Sequence, residues 1–154
     1  MRVTAKVDYA VRAATMLATH AAGEGGPLKG DRIATAQAIP VKYLENILSE
    51  LRQSSIVRSQ RGADGGYWLA RPADEITVAD VIRAVEGPLA HIRGERAENL
   101  DYPDGTGALQ EVWVATRASL RLVLDRVTLA DVASGTLPPD IAALTASPDA
   151  WEPR

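Results

Sequence analysis

The chain contains no cysteine. That single absence removes disulfides, thiolate nucleophiles and every cysteine-ligated zinc or iron–sulfur centre from the chemistry open to it. Its two histidines, His20 and His91, are too few to rebuild a soft-metal site, so no metal ligands and no cofactor are expected. No apolar run approaches the length of a membrane span. The opening segment Met1-Arg2-Val3-Thr4-Ala5-Lys6-Val7-Asp8 also lacks the apolar stretch of a secretion signal. A cytoplasmic protein without a membrane partner is therefore expected. Enzyme signatures are missing too. There is no paired catalytic motif, and Gly62, Gly65 and Gly66 lack the lysine and helix that follow in a phosphate-binding G-x-x-x-x-G-K-[ST] loop. At 154 residues the chain is too short for two large domains, which leaves one domain with a modest core, or a small domain carrying an oligomerisation arm.

What is present is unevenly placed. The net charge of −3 argues at first against nucleic acid, but residues 1–71 hold 10 Lys and Arg against 6 Asp and Glu, whereas residues 72–154 hold 7 against 14. Only the first half, at +4 against −7, has the electrostatic footprint of a DNA-binding unit.

That half is organised as short helices followed by a hairpin. A helix is predicted from the N-cap Thr4 to near Gly23, with Val7, Val11, Ala14, Leu17 and Ala21 on one stripe. Leu28 marks a short strand and Arg32 to Gln37 a second helix. Pro40 restarts the chain into a third, Val41 to about Gln53, whose apolar stripe is Val41, Leu44, Ile47, Leu48 and Leu51. Its polar face carries Lys42, Tyr43, Glu45, Asn46, Ser49 and Arg52. Ala38 occupies the turn between the second and third helices, where glycine is usual, at a cost of roughly 1 kcal/mol if the turn is left-handed. Ile56-Val57 and Tyr67-Trp68-Leu69 then flank a reversal in which Gly65-Gly66 can adopt positive φ. Arg58, Arg61 and Arg71 sit at the shoulders and tip of this hairpin. A helix-turn-helix with a basic wing results, so the fold class is mainly α with a small β-hairpin.

The second half reads as an arm. Thr77-Val78-Ala79-Asp80 resembles a capping box opening a helix with Val78, Val81, Ile82 and Val85 inward, closed by Gly87-Pro88. The domain boundaries that follow are 1–87 for the winged unit, 88–107 for a loop, 108–133 for a long helix with a short one behind it, and 134–154 for a partly disordered, proline-containing tail. Leu109, Val112, Trp113, Thr116, Leu120, Val123, Leu124 and Val127 line one side of the long helix. Such a stripe most simply buries itself against its twin in a homodimer, the competing arrangement being packing against its own domain.

Tyr43-Leu44-Glu45 through Leu51-Arg52 to Val57, then Arg61-Gly62-x-x-Gly65-Gly66-Tyr67-x-Leu69, resembles the signature of the Rrf-type family of bacterial winged-helix transcriptional regulators, which includes IscR, NsrR, RirA and CymR. The likeness extends to Tyr9-Ala10-Val11-Arg12, to Ile76-Thr77-Val78 with Val85-Glu86-Gly87, and to Thr128-Leu129-Ala130-Asp131-Val132, covering roughly residues 1–133. It implies double-stranded DNA as partner, with Lys42, Tyr43, Glu45 and Asn46 facing the major groove and Arg61 reaching the minor groove. The chemistry of the side chains agrees: Asn46 suits an adenine edge, Glu45 can accept from cytosine N4 or be a plain solvated charge, and Lys42 and Arg52 suit phosphates. Tyr43 either covers the helix end or contacts phosphate. Many relatives hold an iron–sulfur cluster through three cysteines in the segment matching 88–107, where this chain has His91, Glu95, Glu98, Asp101 and Asp104. Asp8 matches a cluster ligand of some relatives but, without thiolates, reads as complementing the helix dipole. The function implied is a cluster-independent dimeric regulator, a repressor, on an imperfect palindrome. Its effector is either a small molecule near Trp113 and Tyr102 or a protein, such as a metabolic enzyme of cysteine metabolism, and an interaction module that has lost DNA binding is the alternative.

Overall fold

The computed structural model describes residues 2–153. Helix α1 (Ala5–Ala22) opens at Thr4, whose hydroxyl accepts from the Val7 amide at 3.2 Å. Its buried face runs through Val7, Ala10, Ala13, Ala14, Leu17 and Ala18, whereas Val11 is half-buried and Ala21 exposed. The expected stripe is thus rotated toward small alanines. Four elements, α2, α3, α4 and α6, together with the hairpin, crowd around α1, and side chains without bulk let their backbones come close.

Helices α2 (Gly30–Gln37) and α3 (Val41–Gln53) are joined through Ala38, which takes φ 50° and ψ 45°. The left-handed turn expected there is present without its glycine, and Ile39, donating to Ala34 O at 2.9 Å, closes it. Helix α3 buries Leu44, Ile47, Leu48 and Leu51. Val41, expected on the same stripe, is 55% exposed at the first position of α3.

Strands β1 (Val57–Gln60) and β2 (Gly66–Leu69) pair antiparallel from Val57 opposite Leu69 to Gln60 opposite Gly66. Leu28 adds an antiparallel bridge to Tyr67, with both backbone bonds made, at 2.8 and 2.9 Å. The glycines act differently from expectation. Positive φ falls on Gly62 and Gly66, not on Gly65. Gly65 is required for space instead: a Cβ there would lie 2.1 Å from Gln60 O. At Gly66 a Cβ would lie 2.6 Å from Leu28 O, so this residue is what lets the Leu28 segment join the hairpin.

Helix α4 (Val78–Glu86) carries the full Thr77/Asp80 capping box, both bonds at 3.1 Å, and buries Ala79, Val81 and Val85 while Val78 and Ile82 stay half-buried. Residues 88–107, read as a loop, contain a tight turn bridged by Ile92 and Glu95 and a 3-10 turn (Ala97–Asn99), and are anchored by buried Leu89, Ala97 and Leu100. Helix α5 (Ala108–Leu124) then projects with no fully buried side chain.

Two boundaries differ from the sequence reading. Helix α6 (Leu129–Ser134) returns to the winged unit: Leu129 is fully buried in the core, its amide donates to Ile76 O at 2.9 Å, and the Val78 amide donates to Val127 O at 2.9 Å. Residues 127–134 therefore close the first domain and do not extend the arm. Val127 lies past the end of α5 and is only 7% exposed within its own protomer, so its expected place on a dimer stripe is corrected. The tail also differs, since α7 (Pro139–Leu144) and a 3-10 turn (Pro148–Trp151) occupy the segment read as partly disordered. Pro139 in the first turn presets the helix, Ile141 is buried, and Arg126 holds Asp140 at 3.1 Å. Among the described residues no helix is long and apolar enough to cross a membrane.

Candidate nucleic-acid interface

Burial of Leu44, Ile47, Leu48 and Leu51 fixes the rotation of α3, and that rotation turns Lys42, Tyr43, Glu45 and Asn46 outward together. No side chain caps α3 and no acidic residue lies in its first turn, so its N-terminus presents unneutralised amides beside Lys42. Tyr43 has a structural partner: its ring meets Tyr9 edge-on, centroids 5.7 Å apart at 84°. Arg12 lies over the other ring, 5.4 Å from the Tyr9 centroid. It also pairs with Asp8 at 3.0 Å and donates to the side chain and backbone carbonyl of Gln37. Asp8 is thus engaged by Arg12 in the first turn of α1. The Tyr9–Arg12 relay sets the position of the α2–α3 turn, a role that α1 gives no sign of in its apolar periodicity.

Arg52, at the far end of α3, is exposed and approaches Ser59 Oγ on β1 at 3.5 Å. Arg58 faces Trp68 across the ladder, and Arg52, Arg58, Arg71 and Trp68 line an open hollow of about 420 Å³. Arg71 is not a free cation there, because it donates to Glu75 O at 3.0 Å and stands 3.7 Å from Asp80. Arg61 begins the reversal at the tip and is exposed. Among the described residues Lys42, Arg58 and Arg61 make no ion pair and no side-chain hydrogen bond. Their charge is left uncompensated within the protomer. The structure therefore groups Lys42, Tyr43, Glu45 and Asn46 on one helix face, sets Arg52 and Arg58 at the hairpin base, and leaves Arg61 at its end.

Lys29 was not singled out by sequence. Its ammonium donates to Gly62 O at 2.9 Å and Ala63 O at 2.5 Å, which ties the wing tip to the start of α2. A lone lysine in a loop carries no periodicity, so the sequence gives no signal of this contact.

Trp113 of α5 donates to the hydroxyl of Tyr102 in the segment 88–107 at 2.8 Å, so the two polar groups expected near an effector satisfy each other. Arg117 pairs with Glu98. The backbone amide of its own turn, and next this guanidinium, hold the Glu98 carboxyl below its ordinary value.

The chain matches the family model Rrf2, described as iron-dependent transcriptional regulator, over residues 3–135. It is 51% identical over 144 residues to a candidate HTH-type transcriptional regulator of Mycobacterium tuberculosis strain H37Rv, covering 94% of this chain and 88% of that protein. With the HTH-type regulator CymR of Bacillus subtilis it shares 38% identity, covering 88% and 92% of the two chains. The solved structure of CymR, the global cysteine regulator of B. subtilis, superposes with a TM-score of 0.74 at 35% identity, covering 88% of this chain and 98% of that one. The structure of T. potens IscR gives 0.70 at 33% identity, covering 99% and 97%. The donor set does not fit iron or a cluster: the sequence has no thiolate, and among the described residues no three His, Asp or Glu side chains gather as metal ligands.

Proposed function

This chain belongs to the Rrf2 family of transcriptional regulators, and from that premise we propose that it represses transcription as a homodimer without an iron–sulfur cluster. It is a DNA-binding transcriptional regulator of winged helix-turn-helix fold, similar over nearly its whole length to HTH-type regulators. The observation that carries the finer reading is the set of unpaired cations Lys42, Arg58 and Arg61 flanking an outward α3 face whose first-turn amides are uncapped. In the proposed complex α3 enters the major groove. Asn46 reads an adenine edge, Glu45 accepts from cytosine N4, and Lys42, Tyr43 and Arg52 meet phosphates alongside the α3 N-terminus. Arg58 follows the backbone and Arg61 reaches into the minor groove, where a guanidinium is favoured by the negative potential. Two copies joined through α5 place one α3 and one wing on each half of an imperfect palindrome. The protein works in the cytoplasm and has no catalytic activity of its own.

The test is a titration of a labelled duplex from the protein's own promoter region at 50 and 200 mM salt. A site gripped by several phosphate contacts loses affinity steeply, on the order of a hundredfold or more, between those salts. Salt-independent binding, or none at the lower salt, removes the DNA-binding geometry described here. Repression is checked with a reporter behind that promoter, where deleting the regulator raises transcription.

A further inference from the structure

Residues 72–154 are net negative, yet four of their guanidinium groups converge. Arg83 of α4, Arg96 of the segment after the tight turn, and Arg117 and Arg121 of α5 line a hollow of about 300 Å³ together with His91 and Glu98. Residues 72–154 hold seven Lys and Arg in all, so more than half of that half's positive charge surrounds one cavity. Two of the four are already paired: Arg83 with Asp125 through contacts of 2.7 and 3.1 Å, and Arg117 with Glu98. Among the described residues Arg96 and Arg121 have no ion-pair partner. One carboxylate in the wall faces four guanidinium groups and an imidazole. Arg117 is largely covered, its side chain 15% exposed, which raises the cost of leaving like charges face to face.

We propose that this hollow is the effector site, binding a small metabolite that carries at least two negative charges as phosphate or carboxylate groups, and that its occupation weakens DNA binding. Guanidinium forks match both groups bidentately, and two unpaired forks call for a multiply charged ligand. The volume lies at the lower end of small-molecule pockets and suits a metabolite of a few heavy-atom groups. A route to DNA starts from Arg83 in the wall. Arg71 at the wing's exit stands 3.7 Å from Asp80, Asp80 stands 3.7 Å from Arg83, and Arg83 clasps Asp125 just past the end of α5. An anion that draws Arg83 toward the cavity loosens its hold on Asp125 and leaves Asp80 to Arg71, so the arm and the wing base shift together. This inference rests on the DNA-binding reading above for its regulatory half, and on the cavity alone for its binding half.

The experiment uses the full chain at constant ionic strength in chloride. Calorimetric titration with pyrophosphate and, separately, citrate is expected to give saturable binding by at least one, and the tighter of the two names the ligand chemistry. The double variant Arg96→Ala/Arg121→Ala, which removes side chains that make no ion pair and is checked for an unchanged circular dichroism spectrum, should bind at least tenfold more weakly. No saturable binding by either probe, or equal affinity in the variant, overturns the site. Anisotropy with the promoter duplex then reads the consequence: the bound anion should lower wild-type DNA affinity on the order of tenfold and leave the variant's unchanged. Anion binding with no change in DNA affinity overturns the regulatory role. Loss of all DNA binding in the anion-free protein would instead sink the DNA reading and leave the calorimetric result standing.

Discussion

Arg61 and Asn46 carry different information, and single substitutions separate them. Arg61 is an unpaired cation at the wing tip, so Arg61→Ala should weaken binding and lower the salt slope by about one unit, read from affinities across a salt series. Asn46→Ala should cost about 1 to 3 kcal/mol at one base position and spare other sequences, read by competition with single-base variants of the site. A uniform loss for Asn46→Ala would mean it contacts the backbone. Gly66 belongs to a third kind, since it reads nothing but holds φ 154° with Leu28 O where a Cβ would be. Gly66→Ala should destabilise the fold by about 1 to 3 kcal/mol in urea titration and weaken DNA binding beyond that. At this scale the sequence was informative about exposure and local backbone conformation. Exposed Lys42, Asn46 and Arg61 and the left-handed Ala38 stand where the sequence places them, while the conformations of Gly65 and Gly66 depend on chain segments that only the fold brings near.

Single elements were legible where amphipathic period and caps agree. The bounds of α3, the Thr77/Asp80 capping box and the hairpin all follow from local sequence. Tertiary tethers were not legible, because they join residues far apart without a repeating pattern, and the wing shows it. Lys29 holds the Gly62 and Ala63 carbonyls across more than thirty residues. Lys29→Met keeps the stem and removes both bonds, so wing-tip amides should exchange faster in the DNA-free protein and DNA affinity should fall, while global stability drops by only about 1 kcal/mol or less. Unchanged exchange at the tip would show the tether to be idle. Helix α6 is the second case: its short pattern was visible, but its allegiance to the winged unit was not. Leu129 is fully buried among core side chains, so Leu129→Ala should cost about 2 to 5 kcal/mol in chemical denaturation, a loss no surface arm would suffer.

At the scale of the whole molecule, α5 is the helix its own protomer leaves partly uncovered. The helix has no fully buried residue, and it divides the expected stripe in two: Trp113, Thr116, Leu120, Val123 and Leu124 are half-buried on the protomer side, whereas Leu109 and Val112 are 38% and 49% exposed. Sequence periodicity alone merges these sets, because a helix that packs on its own domain and on a twin shows one broad apolar face. The arm is rooted through the Trp113–Tyr102 bond and through Gln110, which donates to Glu98 O at 3.1 Å and Leu100 O at 3.0 Å. In the proposed homodimer the exposed pair meets the second copy. The substitutions Leu109→Glu and Val112→Glu together should therefore yield a protein with unchanged circular dichroism but monomeric mass in sedimentation at micromolar concentration. DNA affinity should fall by more than any single contact explains, since half-sites bound independently lose the effective concentration that linkage supplies. A dimeric mass in this variant would move the interface off α5. A monomeric wild type would remove the paired grip on a palindrome altogether, leaving each wing and α3 to hold DNA alone.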